Sequence, residues 1–192
     1  MKFIKKQNLK NHSIKTHALN PCFDKNQARK MQKYSSDHWQ NIPDEIKAWP
    51  QFVLWREDQK PMNSKPDKVP LNPRTAKFGT AHSPANWLSF DQVCRMAEQW
   101  GVGIGFVLTP HDPFACIDLD GCVAPDGAVS PVALEIVHGF RGWVEHSHSG
   151  RGLHVWIKGT VPGGGKRGGK GHAIEAYSAK RFIAMTGRVF AL

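Results

Sequence analysis

Runs of apolar residues and their spacing outline this chain's elements before any chemistry is considered. Two runs rich in Val, Ile and Phe, Gly101–Leu108 and Phe114–Cys122, flank the turn residues Thr109-Pro110-His111-Asp112-Pro113. That pattern reads as strand, tight connection, strand. Ahead of it Phe90, Val93, Cys94, Ala97 and Trp100 recur at spacings of three and four. The spacing predicts a helix over Ser89–Trp100 with one apolar face, Ser89 as its cap and Gly101 as its end. Earlier still, Ile42–Lys47 reads as a short helix opening and Gln51–Arg56 as a strand. The prolines keep Lys68–Pro73 extended, and Ser83 followed by Pro84 predicts a helix start over Ser83–Trp87. Downstream come a helix over Pro131–Gly139 and strands over Trp143–Glu145, Leu153–Ile157, Ala173–Tyr177 and Arg181–Met185. Helical and strand material first, then a strand-rich half with one inserted helix, predicts an α+β fold with a mixed sheet.

Residues 1 to about 36 keep neither a period of 2 nor one of 3.6. They predict a mostly disordered arm with a helical turn over Lys25–Tyr34, and the organisation expected is an arm over 1–40 and a domain over 41–192. Charge sharpens the division. The net charge is +10, with nine Lys or Arg against two Asp in 1–40, ten against thirteen acids in 41–157, and seven against one in 158–192. Basic ends around a mildly acidic middle point to a polyanion, nucleic acid first among them, although solubilising charge on loose ends gives the same count. No apolar run approaches a membrane span, and the start does not resemble a signal peptide, so a cytoplasmic protein is expected. Cys22, Cys94, Cys116 and Cys122 form no CxxC pair and read as ordinary reduced thiols.

The chemistry begins in the second strand of the opening pair. Alternation puts Ile117 and Leu119 on one face and Cys116, Asp118 and Asp120 on the other. Two carboxylates one strand step apart repel each other unless a cation lies between them, and oxygen ligands suit magnesium, manganese or calcium. From these residues alone a metal-binding pair and a solvent-facing pair before a glycine turn both stay open.

Two further features bear on the choice. In Ser149-Gly150-Arg151-Gly152-Leu153-His154 the glycines let backbone approach a ligand, and Arg151 and His154 are phosphate-binding types. Glu175 lies in a strand with Ile174 on the opposite face. Three carboxylates around a divalent ion, under a cationic lip on a glycine turn, make a plausible phosphoryl-transfer site. A lone histidine is usually structural and a lone strand glutamate usually solvated; the order and spacing of the three features carry the inference.

Asp118-Leu119-Asp120, then Ser149-Gly150-Arg151-Gly152-Leu153-His154, then Ile174-Glu175 and Arg181-Phe182 ahead of Thr186-Gly187, together resemble the primase-polymerase domain of the archaeo-eukaryotic primase superfamily. The resemblance is to its phage and plasmid replication branch and spans roughly 42–190, with Phe52–Arg56, Lys68–Thr75 and Pro84–Trp87 also similar. It implies an RRM-like mixed or antiparallel catalytic sheet with a smaller N-terminal αβ module. It implies that Asp118, Asp120 and Glu175 hold catalytic Mg2+ or Mn2+, and that His154, with Ser149, Arg151, Gly152 and Arg181 near it, meets the incoming nucleotide. The implied reaction is template-directed addition of nucleoside triphosphates on single-stranded DNA, with a separate helicase as partner. Family members usually continue past the Thr-Gly pair, so a C-terminally truncated domain is expected, such as a prophage or plasmid remnant. A non-catalytic nucleic-acid-binding relative is the rival expectation.

Other motifs count for less. Gly163–Gly171 lacks P-loop spacing and predicts a flexible hairpin loop, with Lys166, Arg167 and Lys170 as candidate DNA-backbone contacts. His146-Ser147-His148 is similar to the metal motif of rolling-circle nucleases, but its central residue is polar and no helical tyrosine follows. Trp100, Trp143 and Trp156 read as core.

Overall fold

The computed structural model of the chain describes residues 34, 36–59, 66–167 and 174–191. The expected arm and its helical turn therefore lie largely outside the described residues. Ser36–Asn41 forms a 3-10 helix whose Trp39 is buried, so packing begins before residue 41. The short helix α1 follows over Asp44–Lys47.

Helix α2 spans Phe90–Trp100 and has the ends its sequence predicts. The Ser89 hydroxyl accepts from the Gln92 amide at 3.3 Å, and the Gln92 side chain accepts from the Ser89 amide at 3.0 Å. Two otherwise orphaned amides are satisfied in this way. Gly101 closes the helix in the left-handed region, and Phe90, Val93 and Ala97 are buried. Helix α3, Pro131–Phe140, starts on Ser130 and buries Ala133 and Val137. The helix expected over Ser83–Trp87 is only a 3-10 turn, Pro84–Asn86. Asn86 and Trp87 donate instead to the carbonyls of Thr80 and Ala81, and Leu88 pairs with Phe52 at the sheet margin. Bonds to distant backbone outweigh a local helix signal of three residues.

Nine strands are described: β1 Phe52–Asp58, β2 Asp67–Leu71, β3 Gly103–Leu108, β4 Phe114–Leu119, β5 Trp143–His146, β6 Leu153–Lys158, β7 Gly165–Arg167, β8 Ile174–Tyr177 and β9 Arg181–Met185. They form two sheets, ordered β2-β1-β3-β9 and β5-β6-β4-β8-β7. The fold is α+β, as expected. The pairings among these strands are all antiparallel, so neither sheet is mixed. The N-terminal strands do not stand apart as a module, because β3 and β9 complete their sheet. Within the tract over Gly163–Gly171, Gly165–Arg167 pairs with β8 as an edge strand, and the loop expected beyond it lies outside the described residues.

The connection between β3 and β4 is not a hairpin turn either, because the two strands belong to different sheets. Its anchor is Asp112, 5% exposed. One carboxylate oxygen accepts from the Thr109 amide at 2.7 Å, the Thr109 hydroxyl at 2.9 Å and the Gln51 side chain at 3.0 Å; the other accepts from the Phe114 amide. These donors hold the chain across the gap between sheets.

Phe106 lies in the core where the sheets meet. Its ring makes edge-on contacts with Phe52, Phe114 and Trp156 at 5.2, 5.8 and 5.9 Å. Each such buried ring contributes about 1.5–3 kcal/mol by burial, and the edge-on pairs add to it. Strand β4 serves two cores. Ile117 and Leu119 pack with Ala133, Val137 and Val155, whereas Phe114 and Cys116 join the core of the first sheet. The alternation predicted for β4 holds, and it turns Asp118 towards the gap between the sheets. Trp156 is buried, and Trp100 and Trp143 pack against the same core.

Candidate functional site

Register builds the site. Asp118 lies opposite His154 on one side and opposite Glu175 on the other. His154 faces Glu145, and Glu175 faces Arg167. Residues directly opposite in antiparallel strands share a face, so Glu145, His154, Asp118 and Glu175 form one polar row across four strands. The next row on that face is Trp143, Trp156, Cys116 and Tyr177, which seals the core below it. Asp120 follows β4 at the open end.

The row opens into a cleft of about 820 Å³. Asp118, Asp120, His154 and Glu175 line it from the second sheet, together with Ser147, His148 and Ser149. The opposite wall is mixed in charge: it carries Lys68, His82, Lys180 and Arg181 together with Glu57 and Asp67, so three cations face the carboxylate row. The three carboxylates, His154, Ser149 and Arg181 thus meet at one cleft. Arg151 is exposed and does not line it, and Gly152 lies buried behind it. Lys166 and Arg167 belong to β7, and Lys170 lies outside the described residues.

The Ser149–His154 turn is tied from within. The Ser147 hydroxyl accepts from the Gly152 amide at 3.1 Å, and Arg188 donates to the carbonyls of Ser147 and His148. Gly152 passes beside the end of β4, where an added Cβ would lie 2.6 Å from the Leu119 carbonyl oxygen. Gly152→Ala should therefore displace this turn and cost about 1–3 kcal/mol, read as a lower denaturant midpoint.

Asp118 Oδ1 is buried, has no hydrogen-bond partner among the described residues, and lies 3.8 Å from His154 Nε2. Glu175 is more engaged: Tyr177 donates to it at 2.8 Å, and the Arg181 guanidinium lies 3.5 Å away and also covers the Tyr177 ring. Among the described residues no three His, Cys, Asp or Glu side chains form a ready metal cage. Magnesium does not require one, since it keeps several waters and takes one or two carboxylates plus substrate phosphates. An orphaned carboxylate oxygen beside a second aspartate in an open cleft fits such an ion.

The thiols do not compete for that role. Burial first, then the Asp118 and Glu145 charges, hold the Cys116 thiol well above its ordinary range. Burial likewise raises Cys122. Burial, with Glu98 and Asp91 nearby, pushes Cys94 up to about 12. All three stay protonated thiols at neutral pH, and the thiolate is the metal-binding form. The two histidines of His146-Ser147-His148 part company. His146 sets its ring edge-on to Phe190, and burial, reinforced by Arg188, lowers its pKa. His148 stacks on Tyr34 and pairs with Glu57 at 3.0 Å.

The residue that sequence reasoning passed over is Glu145, a strand glutamate with 0% exposure. Its Oε1 faces His154 Nδ1 at 3.1 Å, and its Oε2 accepts from the amides of Thr186 and Gly187 at 2.8 and 2.7 Å. The available signal was a lone acid on the same strand face as Trp143, two residues from it, where a solvated side chain is not expected. The Thr-Gly pair had been noted only as part of a resemblance.

Sequence comparison assigns the chain to the class its motifs resemble, that of a primase-polymerase domain. The chain is related to the DNA primase-polymerase of Nitratiruptor phage NrS-1, with 32% identity over 150 residues that make up 76% of this chain and 20% of that protein. The chain thus spans about a fifth of the length of this relative. No family model matches it. Among the described residues no helix is long and apolar enough to cross a membrane.

Proposed function

We propose that this chain performs metal-dependent, template-directed nucleotidyl transfer, as a primase-polymerase domain in phage or plasmid DNA replication. The observation that carries this reading is the in-register row of His154, Asp118 and Glu175 at the floor of a cleft that Lys68, Lys180 and Arg181 also line. In this reading Asp118 and Asp120 hold Mg2+ or Mn2+, with Glu175 completing the carboxylate set. The bound ion would neutralise phosphate charge and assist deprotonation of the attacking hydroxyl. His154 takes a phosphate oxygen of the nucleoside triphosphate from the β6 side. Ser149 presents its hydroxyl from the turn, and Arg181 offers a cation from the opposite wall. The primer 3′-oxygen forms a bond to the α-phosphorus as that phosphorus releases pyrophosphate, and the hydroxyl proton leaves to water. Single-stranded DNA serves as template, a separate helicase as partner, and the cytoplasm as the setting.

The test is incubation with single-stranded template, labelled nucleotides and manganese, beside an Asp118→Asn/Asp120→Asn control. Incorporation by the wild type and none by the control is the expected result. One observation favours a second reading, a binding-only relative: Glu175 is already engaged by Tyr177 and Arg181. DNA binding without incorporation by either protein would select that reading, and site-specific nicking would select a nuclease instead.

A further inference from the structure

A carboxylate with no exposed surface needs a reason to be there, even on an edge strand such as β5, because burying its charge is costly unless it is paired and hydrogen-bonded. Glu145 has donors on both oxygens. Two of them, the amides of Thr186 and Gly187, are backbone and cannot be turned round. The Thr186 hydroxyl lies 3.1 Å from the same oxygen and 2.7 Å from the His146 carbonyl, with one proton to share between them. Oε1 faces His154 Nδ1 at 3.1 Å and the Trp156 indole N–H at 3.4 Å. An ionised carboxylate only accepts, so Nδ1 must be the donor in this contact. The other ring nitrogen, Nε2, is then the one left for the cleft, where Asp118 Oδ1 is 3.8 Å away.

We infer that Glu145, held by Thr186-Gly187 at the end of β9, is a positioning residue that commits His154 Nδ1 as a donor and aims Nε2 into the cleft, so that with a nucleotide bound the ring, lying between this carboxylate and a phosphate, donates from both nitrogens as an imidazolium. The inference rests on the phosphate-binding role proposed for His154. A buried acid that orients an imidazole through its far nitrogen acts like the outer partners of metal-bound histidines, whose loss typically costs 10–100-fold in affinity. The connection also crosses between sheets, since β9 belongs to the first and Glu145 and His154 to the second. The aim of His154 therefore depends on how the first sheet is seated.

Glu145→Gln is the discriminating variant. Its amide oxygen must face the fixed Thr186 and Gly187 amides, which leaves its NH2 group opposite His154 Nδ1. That group donates, so Nδ1 becomes an acceptor, the one ring proton moves to Nε2, and the ring can no longer meet a phosphate as an imidazolium. In 15N-labelled wild-type protein the His154 ring should show a protonated Nδ1, and in Glu145→Gln the assignment should reverse. Titration with a deoxynucleoside triphosphate and magnesium should show binding weakened about 10–100-fold by Glu145→Gln. His154→Ala should weaken it comparably, and adding Glu145→Gln to His154→Ala should change it less than about twofold, as coupled sites require. An unprotonated Nδ1 in the wild type overturns the inference without any variant. A Glu145→Gln loss that persists undiminished in the His154→Ala background overturns it too, since Glu145 would then act only on the fold. If His154→Ala leaves nucleotide affinity unchanged, the phosphate role of His154 falls and the inference with it, while a reversed ring assignment would still identify Glu145 as the group that sets the tautomer.

Discussion

Asp118→Asn should abolish nucleotide incorporation while making the metal-free protein harder to unfold. Activity should fall because a carboxylate that anchors a divalent ion is worth several kcal/mol in the transition state, and about 4 kcal/mol corresponds to roughly 10³-fold in rate. Stability should rise because Asp118 is costly to the folded chain without a cation. Its Oδ1 is buried without a hydrogen bond, and Glu175 lies directly opposite on the neighbouring strand. Like charges across a strand pair destabilise. Asparagine keeps the shape, removes the charge and adds a donor, and relieving a functional site of this kind commonly gains about 0.5–2 kcal/mol. In a domain of this size each kcal/mol is about 2–4 °C in melting temperature. Manganese should then raise the melting temperature of the wild type and leave that of the variant nearly unchanged, since only a state that binds the ion is stabilised by it. A variant that retains a tenth of the wild-type rate would remove Asp118 from the metal site. One that melts below the wild type would show that its carboxylate is held by something other than a cation.

Glu145→Ala should be among the most destabilising single changes in the domain, at about 3–5 kcal/mol, the range for breaking a buried charged network from one side. The loss would leave the Thr186 and Gly187 amides, the Trp156 indole and the His154 ring facing a cavity where an acceptor had been. Chemical denaturation with the midpoint and slope fitted together measures it. A cost under about 1 kcal/mol would mean that water reaches these donors and replaces the carboxylate.

Much of the local structure was legible because local residues decide it. Ser89, Gln92 and Gly101 define both ends of α2, and the alternation in Phe114–Leu119 assigns Asp118 to a different face from Ile117. The partners of Asp118 in the row were foreseen as Glu175 and His154, since motif order implied a shared site and the antiparallel register supplies it. Pairing between distant strands was another matter. Nothing in Gly103–Leu108 indicates that its neighbours are β1 and β9 rather than β4, because all of these runs are apolar and β-branched. The deciding group is Asp112, a turn residue by type, whose acceptance of the Gln51 side chain spans 61 positions. Ser83–Trp87 failed as a helix for a related reason: its side chains found acceptors outside their own turn. Glu145 was hidden because a carboxylate in a strand is usually solvated, and its burial depends on Thr186 and Gly187, 41 and 42 positions away.

The seating of β9 against β3 also gives this domain an order of assembly. Leu108 pairs with Arg181, and Ile104 with Met185. Until β9 is made, one long edge of β3 stays open, and unpaired edges of apolar strands are sites of mispairing. At about 5–20 residues per second, the roughly 70 residues between these strands take a ribosome some 4–14 s. Late in that interval, once residue 154 is made, a nascent chain carries Asp118, Asp120 and His154 but lacks β9 with its Arg181 and the amides that hold Glu145. The cleft is thus among the last features to form as the chain emerges, so ribosome-bound chains halted before residue 181 should expose the acidic row without enclosing a nucleotide.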